Sequence, residues 1–301
     1  MKTVVLAGGT GGAKLAAGFQ ALLPPGDLTV IANTADDDEF WGLLVSPDVD
    51  ATIYRLAGVF DEEAGYGQRG DTFHTLEALG RLGEPTWFRI GDRDLATHVL
   101  RAEMLRRGCR LTEAALELGR RFGLHTHVLP VTDDRLRTRF GTDRGSFSFQ
   151  EYFVRERLGP ALRSIEFDGG DSATPTPEVR TALASAELVV IGPSNPLISI
   201  APILKVVGPL LAHSRTVAVA PIVGGVALKG PTVEMFRALG LDPSPVTVAQ
   251  MYEPVSGTFV LDARDARLAP SIEGTGWRVI VTDTVMSDGG SALAARLLEG
   301  L

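Results

Sequence analysis

Thr3-Val4-Val5-Leu6-Ala7-Gly8-Gly9-Thr10-Gly11-Gly12-Ala13-Lys14 runs an apolar stretch straight into a glycine-rich turn. A short apolar, β-branched run of this kind reads as a strand covered on both faces. A helical period follows over Ala13–Leu23. The glycines thus stand where a strand hands over to a helix. Glycines there let backbone N–H groups approach a phosphate closely, and the helix N-terminus adds a favourable field. Lys14 adds a point charge for a phosphate oxygen. A Walker A loop would need Ser or Thr after the lysine, and Leu15 stands there. A full dinucleotide fingerprint would need glycine at position 14. The plain alternative, an ordinary strand-to-helix turn, does not call for so many glycines.

Outward from this unit the pattern repeats. Leu28–Ala32, Leu188–Ile191, Thr216–Ala220 and Arg278–Val281 read as buried strands. Asp71–Leu82, with Asp71 as N-cap, Arg93–Arg107, Thr112–Phe122, Ile198–Leu211 and Gly290–Leu298 read as helices, the last stopped by Gly300. The alternation predicts an α/β, Rossmann-like, mostly parallel sheet with helices on both faces. The nearly all-helical stretch around residues 72–122 reads as a helical insertion in a single α/β domain spanning 1–301. Asp134–Glu151 reads as a β-hairpin or mobile loop, and Asp168–Pro177 as a linker.

The chain is 45% hydrophobic, enough for a sizeable core. Its 29 bases against 37 acids leave a net charge of −8, which disfavours nucleic acid and anionic membranes as partners. One cysteine, Cys109, excludes an internal disulfide and a cysteine-cluster metal site. Val4–Ala7 is too short for a signal-peptide apolar region. The apolar stretch from Leu188 to Leu204 is broken by Gly192, Pro193, Pro196 and Pro202, so it is no membrane span. A soluble cytoplasmic protein is expected.

Three further segments carry chemistry. Asn33-Thr34-Ala35-Asp36-Asp37-Asp38-Glu39 follows the second strand, and Ser46-Pro47-Asp48-Val49-Asp50 comes shortly after. Residues beyond strand C-ends face the ligand crevice of such a sheet. Carboxylates beside a phosphate suit Mg²⁺, a hard cation. A solvated acidic loop accounts for Asp37, Asp38 and Glu39; for Asp36 and Asp48 both readings stand. Trp87-Phe88-Arg89-Ile90-Gly91-Asp92-Arg93-Asp94-Leu95-Ala96-Thr97-His98 crowds charge at a helix start, where Asp92 or Asp94 could cap; His98 taken alone reads as structural. Gly192-Pro193-Ser194-Asn195-Pro196 places a hydroxyl and an amide after a buried strand, suited to a base or phosphate. Pro221-Ile222-Val223-Gly224-Gly225 follows the next strand similarly. Plain tight turns are the alternative for both.

Together, Gly8–Lys14, Asn33–Asp37, Ser46–Asp50, Gly91–His98, Phe149–Phe153, Gly192–Pro196 and Pro221–Gly225 resemble the 2-phospho-L-lactate transferase family, which completes the core of coenzyme F420. The resemblance runs from Gly8 to about Thr284. It implies a transferase that joins the deazaflavin Fo to a guanosine diphosphate ester of phospholactate, enolpyruvate or, in some relatives, phosphoglycerate. The terminal ribityl hydroxyl attacks the distal phosphorus and GMP leaves. Carried over by position, Gly8, Gly9, Thr10, Gly11, Gly12 and Lys14 cradle the diphosphate. Asp36 and Asp48 hold Mg²⁺, and with Asp50 form the catalytic set. Asp50, which would face as Asp48 does if that segment were extended, meets the ribityl hydroxyls. Arg89 meets the acidic ring hydroxyl, His98 joins the Fo site, and Ser194 and Asn195 meet the guanosine. A homodimer is also implied. Ala35 departs from the family, where many relatives carry glycine. The competing reading, a nucleotide-sugar-binding regulator of the gluconeogenesis-factor type, calls for a Gly-Ser-Ser-Gly-like loop where Glu39-Phe40-Trp41 stands. A dinucleotide oxidoreductase is disfavoured by the glycine spacing.

Overall fold

The computed structural model describes residues 1–211, 215–227, 230–252 and 255–299. Gly300, expected to stop the last helix, lies outside them. Seven strands form one sheet: β1 (Thr3–Ala7), β2 (Leu28–Ala32), β3 (His127–Pro130), β4 (Leu188–Ile191), β5 (Thr216–Val219), β6 (Gly257–Asp262) and β7 (Arg278–Thr282). Their spatial order is β7-β6-β5-β4-β1-β2-β3, and every pairing is parallel. This is the doubly wound order, in which the chain reverses direction between β1 and β4. A crevice must open there beyond the strand C-ends. Leu6 of β1 sits between Ile31 of β2 and Ile191 of β4, so the loops after all three strands emerge side by side.

Period-two alternation splits the buried strand residues between two cores. Val4, Leu6, Ile31, Val189, Ile191 and Phe259 face one layer. Val5, Ala7, Val30, Val190, Val217 and Val260 face the other. Both faces are covered, as the uninterrupted apolar runs predict. The strands β3 and β6 were not anticipated. β3 is an edge strand, and its terminal Pro130 is tolerated only because one side needs no N–H donor.

The crossover from β2 to β3 carries a hairpin, Asp38–Phe40 with Leu43–Val45, and helices α2 (Pro47–Leu56), α3 (His74–Arg81), α4 (Asp92–Arg106) and α5 (Leu111–Arg121). The hairpin turns on Trp41 and Gly42, both at positive φ. Asp71 does not cap its own helix. Its carboxylate accepts from the Arg93 and Asp94 amides at the start of α4, while the Asp92 carboxylate accepts from the His74 and Thr75 amides at the start of α3. The two acids exchange helices, which fixes the ends of α3 and α4 side by side. Residues 134–151 contain the expected hairpin, Arg137–Thr142 with Gly145–Ser148, and Leu162–Asp168 adds a third antiparallel strand. Asp168–Pro177 leads from that strand to the helix Pro177–Ser185, which Thr176 caps.

Candidate functional site

Helix α1 spans Gly9–Leu22, so it begins inside the glycine run and not at Ala13. The glycines are its first turn. Gly8, Gly11 and Gly12 are required chiefly by packing. A Cβ on Gly8 would overlap Ser199, one on Gly11 would overlap the Pro193 carbonyl, and one on Gly12 would lie 2.8 Å from Ala7 Cα and from Ser194 Oγ. The first turn is thereby pressed against the loop after β4. Two of its orphan amides are satisfied from other segments: Gly9 N–H donates to Asp48 Oδ1 at 2.7 Å and Gly12 N–H to Ser194 Oγ at 3.1 Å. The amides of Thr10 and Gly11 have no acceptor among the described residues, which leaves two N–H groups at a positive helix end. Gly11→Ala is expected to lower stability by about 1–3 kcal/mol through overpacking, measured by urea denaturation; a change below a few tenths would contradict the packing reading.

Asp48 sits in the first turn of α2, where Asn33 Nδ2 donates to its Oδ2 at 3.0 Å. Asp36 accepts from Thr138 Oγ1 at 3.1 Å, and Asp37 from Ser46 Oγ at 2.7 Å. All three carboxyls are buried. Burial, and then the Asp48 charge, push Asp36 well above the ordinary carboxylate range. Burial lifts Asp48 to about 6 against the Asn33 and Gly9 hydrogen bonds, and lifts Asp37 to about 7 against Arg137 and Ser46. Two mutually repelling buried carboxylates of hard oxygen donors fit a divalent cation. No set of three or more His, Cys, Asp or Glu side chains suited to a metal occurs among the described residues, so remaining ligands would come from water or substrate phosphate.

The sign of the pH dependence follows. A carboxyl whose folded pKa is raised stabilises the fold below its unfolded value, 3.8 here, and loses that contribution as pH rises through about 6 and about 7. In EDTA the protein is expected to melt higher at roughly pH 5 than at roughly pH 8, with Mg²⁺ raising Tm most at the alkaline end. Scanning fluorimetry checks this; a Tm in EDTA that climbs with pH would contradict it.

A cavity of about 420 Å³ opens beside these groups. It brings together Gly9, Thr10, Asp48, Asp50, Arg89 and His98, residues from three separate sequence segments. Asp50 does not face as Asp48 does, because Pro47–Leu56 is helical and residues two apart on a helix diverge. Asp48 turns to Gly9 and Asn33. Asp50 turns to Arg101, a residue of α4 that is 0% exposed, and pairs with its Nη2 through Oδ1. Arg101 Nη1 also reaches Leu44 O at 3.1 Å and His98 Nδ1 at 3.2 Å. A guanidinium only donates, so His98 Nδ1 is the acceptor; His98 Nε2 lies 3.3 Å from Asp94 Oδ1 but outside hydrogen-bond geometry. Tyr54 O–H completes the chain with a 2.7 Å hydrogen bond to Asp94. Burial alone would raise Asp94, but His98, Tyr54 and Arg101 bring it below the ordinary range. Asp50 Oδ2 has no hydrogen-bond partner and lies 3.6 Å from His98 Nδ1; the Asp50 residue lines the cavity.

The opposite wall is aromatic: Tyr66, Trp87 and Phe88 line it, and Phe88 stacks on Phe40 with ring centroids 3.9 Å apart. Arg89 is exposed, lies over the Phe73 ring at 4.2 Å and pairs with no carboxylate among the described residues. Gly8, Gly11, Gly12, Lys14, Asp36, Ser194 and Asn195 do not line this cavity. Lys14 is in the second turn of α1, where its charge acts on Asp288 and not on the cavity. Ser194 accepts from Gly12, and Asn195 caps the turn beginning at Pro196 by accepting from Leu197 N–H at 2.9 Å. Arg101, Tyr54 and the aromatic wall were not anticipated. Asp94, His98 and Arg101 stand at i, i+4 and i+7 of one helix, a spacing that could have revealed them.

A doubly wound sheet with two free helix amides, buried acids and a cavity beyond the C-ends of β1 and β2 defines an α/β protein with a ligand-binding crevice at its strand ends. The 2-phospho-L-lactate transferase CofD family model matches residues 3–268. A 2-phospho-L-lactate transferase of Methanosarcina mazei is 36% identical over 286 residues, covering 94% of each chain. A phosphoenolpyruvate transferase of Streptomyces avermitilis is 37% identical over 298 residues, covering 96% of this chain and 93% of its own. This chain belongs to the 2-phospho-L-lactate transferase family, a family of transferase enzymes. A solved UPF0052-family protein from Bacillus halodurans, 16% identical, shares the fold with a TM-score of 0.67 over 99% of this chain and all of its own. No described helix is long and apolar enough to cross a membrane.

Proposed function

We propose that the chain transfers a phospho-acyl group from a guanosine diphosphate ester to the terminal ribityl hydroxyl of Fo in coenzyme F420 biosynthesis, releasing GMP. The observation that carries this reading is one cavity lined by the N-terminus of α1, Asp48, Asp50, Arg89 and an aromatic wall. A tricyclic acceptor stacks against Trp87 and Phe88, with its acidic ring hydroxyl toward Arg89. Its ribityl tail runs toward Asp50, whose carboxylate accepts the hydrogen bond of the terminal hydroxyl and takes its proton. The hydroxyl oxygen bonds to the distal phosphorus as the bond from that phosphorus to the bridging oxygen breaks, and GMP keeps the bond pair. Thr10 and Gly11 N–H groups hold the diphosphate. The nucleoside extends along the β1–β4 crevice past Ser194, whose hydroxyl still has a proton to donate. Asp36 and Asp48 would hold Mg²⁺, which would supply positive charge to offset that of the phosphates. The names of the relatives specify two different acids, lactate and enolpyruvate.

Fo binding tests the acceptor half. Stacking is expected to quench Fo fluorescence on titration with protein. Arg89→Met should weaken Fo by about tenfold at neutral pH, less at low pH where the ring hydroxyl is protonated, with donor binding unchanged. Equal Fo affinity of wild type and variant across pH would remove Arg89 from the site.

A further inference from the structure

The segment after β4 carries Ser194, Asn195 and Ser199, and the first two are engaged within the protein. Ser194 Oγ accepts the Gly12 amide. Asn195 accepts the Leu197 amide, and its Nδ2 meets Met235 Sδ at 3.7 Å. Ser199 differs. It is 7% exposed, and its hydroxyl makes no hydrogen bond among the described residues. The local turn explains why. Pro196–Ile200 forms a single π-helical turn, in which Ile200 N–H reaches back to Asn195 O at 3.1 Å. Ser199 N–H donates to the same carbonyl at 3.0 Å. That carbonyl is the usual acceptor of a helical serine hydroxyl, and two amides already occupy it.

The unspent hydroxyl is directed at the start of α1. A Cβ on Gly8 would clash with Ser199 Cβ, so the serine is pressed against the turn itself. A Cβ on Gly9 would meet two atoms: Asp48 Oδ1 at 3.8 Å and Ser199 Oγ at 4.0 Å. Gly9 has φ +67°, a conformation that resists a side chain, so the space between carboxylate and hydroxyl stays open. Gly9, Thr10 and Asp48 line the cavity of about 420 Å³, and this space borders it beside the unpaired Thr10 and Gly11 amides. An anion seated on those amides meets Asp48 as a like charge. A hydroxyl across the same space supplies a further donor.

We infer that Ser199 is a binding residue for the diphosphate, its O–H meeting a phosphate oxygen held by the Thr10 and Gly11 amides. This rests on the transferase reading above. The assignment gives the π-helical turn a role: it occupies the backbone acceptor of the serine and presents a free hydroxyl at a helix N-terminus. Such a hydroxyl reads the phosphate and not the acid beyond it, so it acts alike on every guanosine diphosphate ester.

Equilibrium titration with GDP as the donor probe and Fo as the acceptor probe tests it. Ser199→Ala removes a hydroxyl that bonds nothing in the protein, so the ligand-free Tm should stay within about 1 °C of wild type. GDP affinity should fall about tenfold, the worth of one hydrogen bond to a charged group, both in Mg²⁺ and in EDTA. Fo affinity should not change. Undiminished GDP affinity, or equal weakening of GDP and Fo, would overturn the assignment while leaving the transferase reading standing. Weakening seen in Mg²⁺ but not in EDTA would move the hydroxyl to the cation and overturn the phosphate contact. A ligand-free Tm several degrees lower would show the hydroxyl spent inside the protein, with the same consequence. Failure of the wild-type chain to bind GDP overturns both readings.

Discussion

Arg101→Met is expected to cost about 3–5 kcal/mol of folding stability, the range for removing one partner of a buried ion pair. The guanidinium is wholly buried and serves three groups at once: Asp50, Leu44 O and His98 Nδ1. Methionine fills much of the volume but supplies no donor. Asp50 would then be a buried carboxylate with no cation, and the Leu44 carbonyl and His98 Nδ1 would lose an N–H. Urea denaturation measures the loss, and a cost under about 1 kcal/mol would show that the pair contributes little beyond its packing. The double variant Arg101→Met/Asp50→Asn should regain part of the stability, because the stranded charge is gone. It should not regain transfer, because the Asp50 carboxylate is then an amide.

Asp48→Asn is expected to reduce turnover by about a thousandfold or more, the order seen when a main electrostatic contributor is lost. The amide oxygen can still accept from Gly9 N–H. The other position becomes an NH₂ facing Asn33 Nδ2, which cannot turn away freely because Asn33 Oδ1 accepts the Ala35 amide at 2.9 Å. A donor thus meets a donor, at a stability cost of about 1–3 kcal/mol. The larger effect is on chemistry, since the anionic oxygens beside Asp36 fall to those of Asp36 alone. Added Mg²⁺ should not restore the rate. Turnover within about tenfold of wild type at saturating donor would assign Asp48 to capping α1 and nothing more.

The sheet was readable because its strands are buried on both faces and so appear as unbroken apolar runs; Val4–Ala7 and Leu188–Ile191 need no context. β3 was harder, since His127 and Pro130 bound an apolar core of only two residues. The glycine run showed that backbones approach closely there, but not what approaches. Pro193, Ser194 and Ser199 arrive from a strand far along the chain, and only the parallel register of β1 and β4 brings them in. Asp50 was misdirected by a local error: an extended segment would align it with Asp48, and the proline-led helix separates them. Lys14 was misplaced for the same reason, because the helix begins earlier than its apolar period and carries the lysine round toward Asp288. Arg101 gave no sign of itself as a single charge on a charged helix. Its meaning comes from burial against α2, a tertiary fact.

The account is tested most directly by mass spectrometry of Fo incubated with the purified chain, Mg²⁺ and the lactyl or enolpyruvyl ester of guanosine diphosphate. The predicted result is Fo heavier by one phospho-acyl group, with GMP formed in equal amount, and neither product from Asp48→Asn. Unmodified Fo with either donor, or release of GDP in place of GMP, would contradict it.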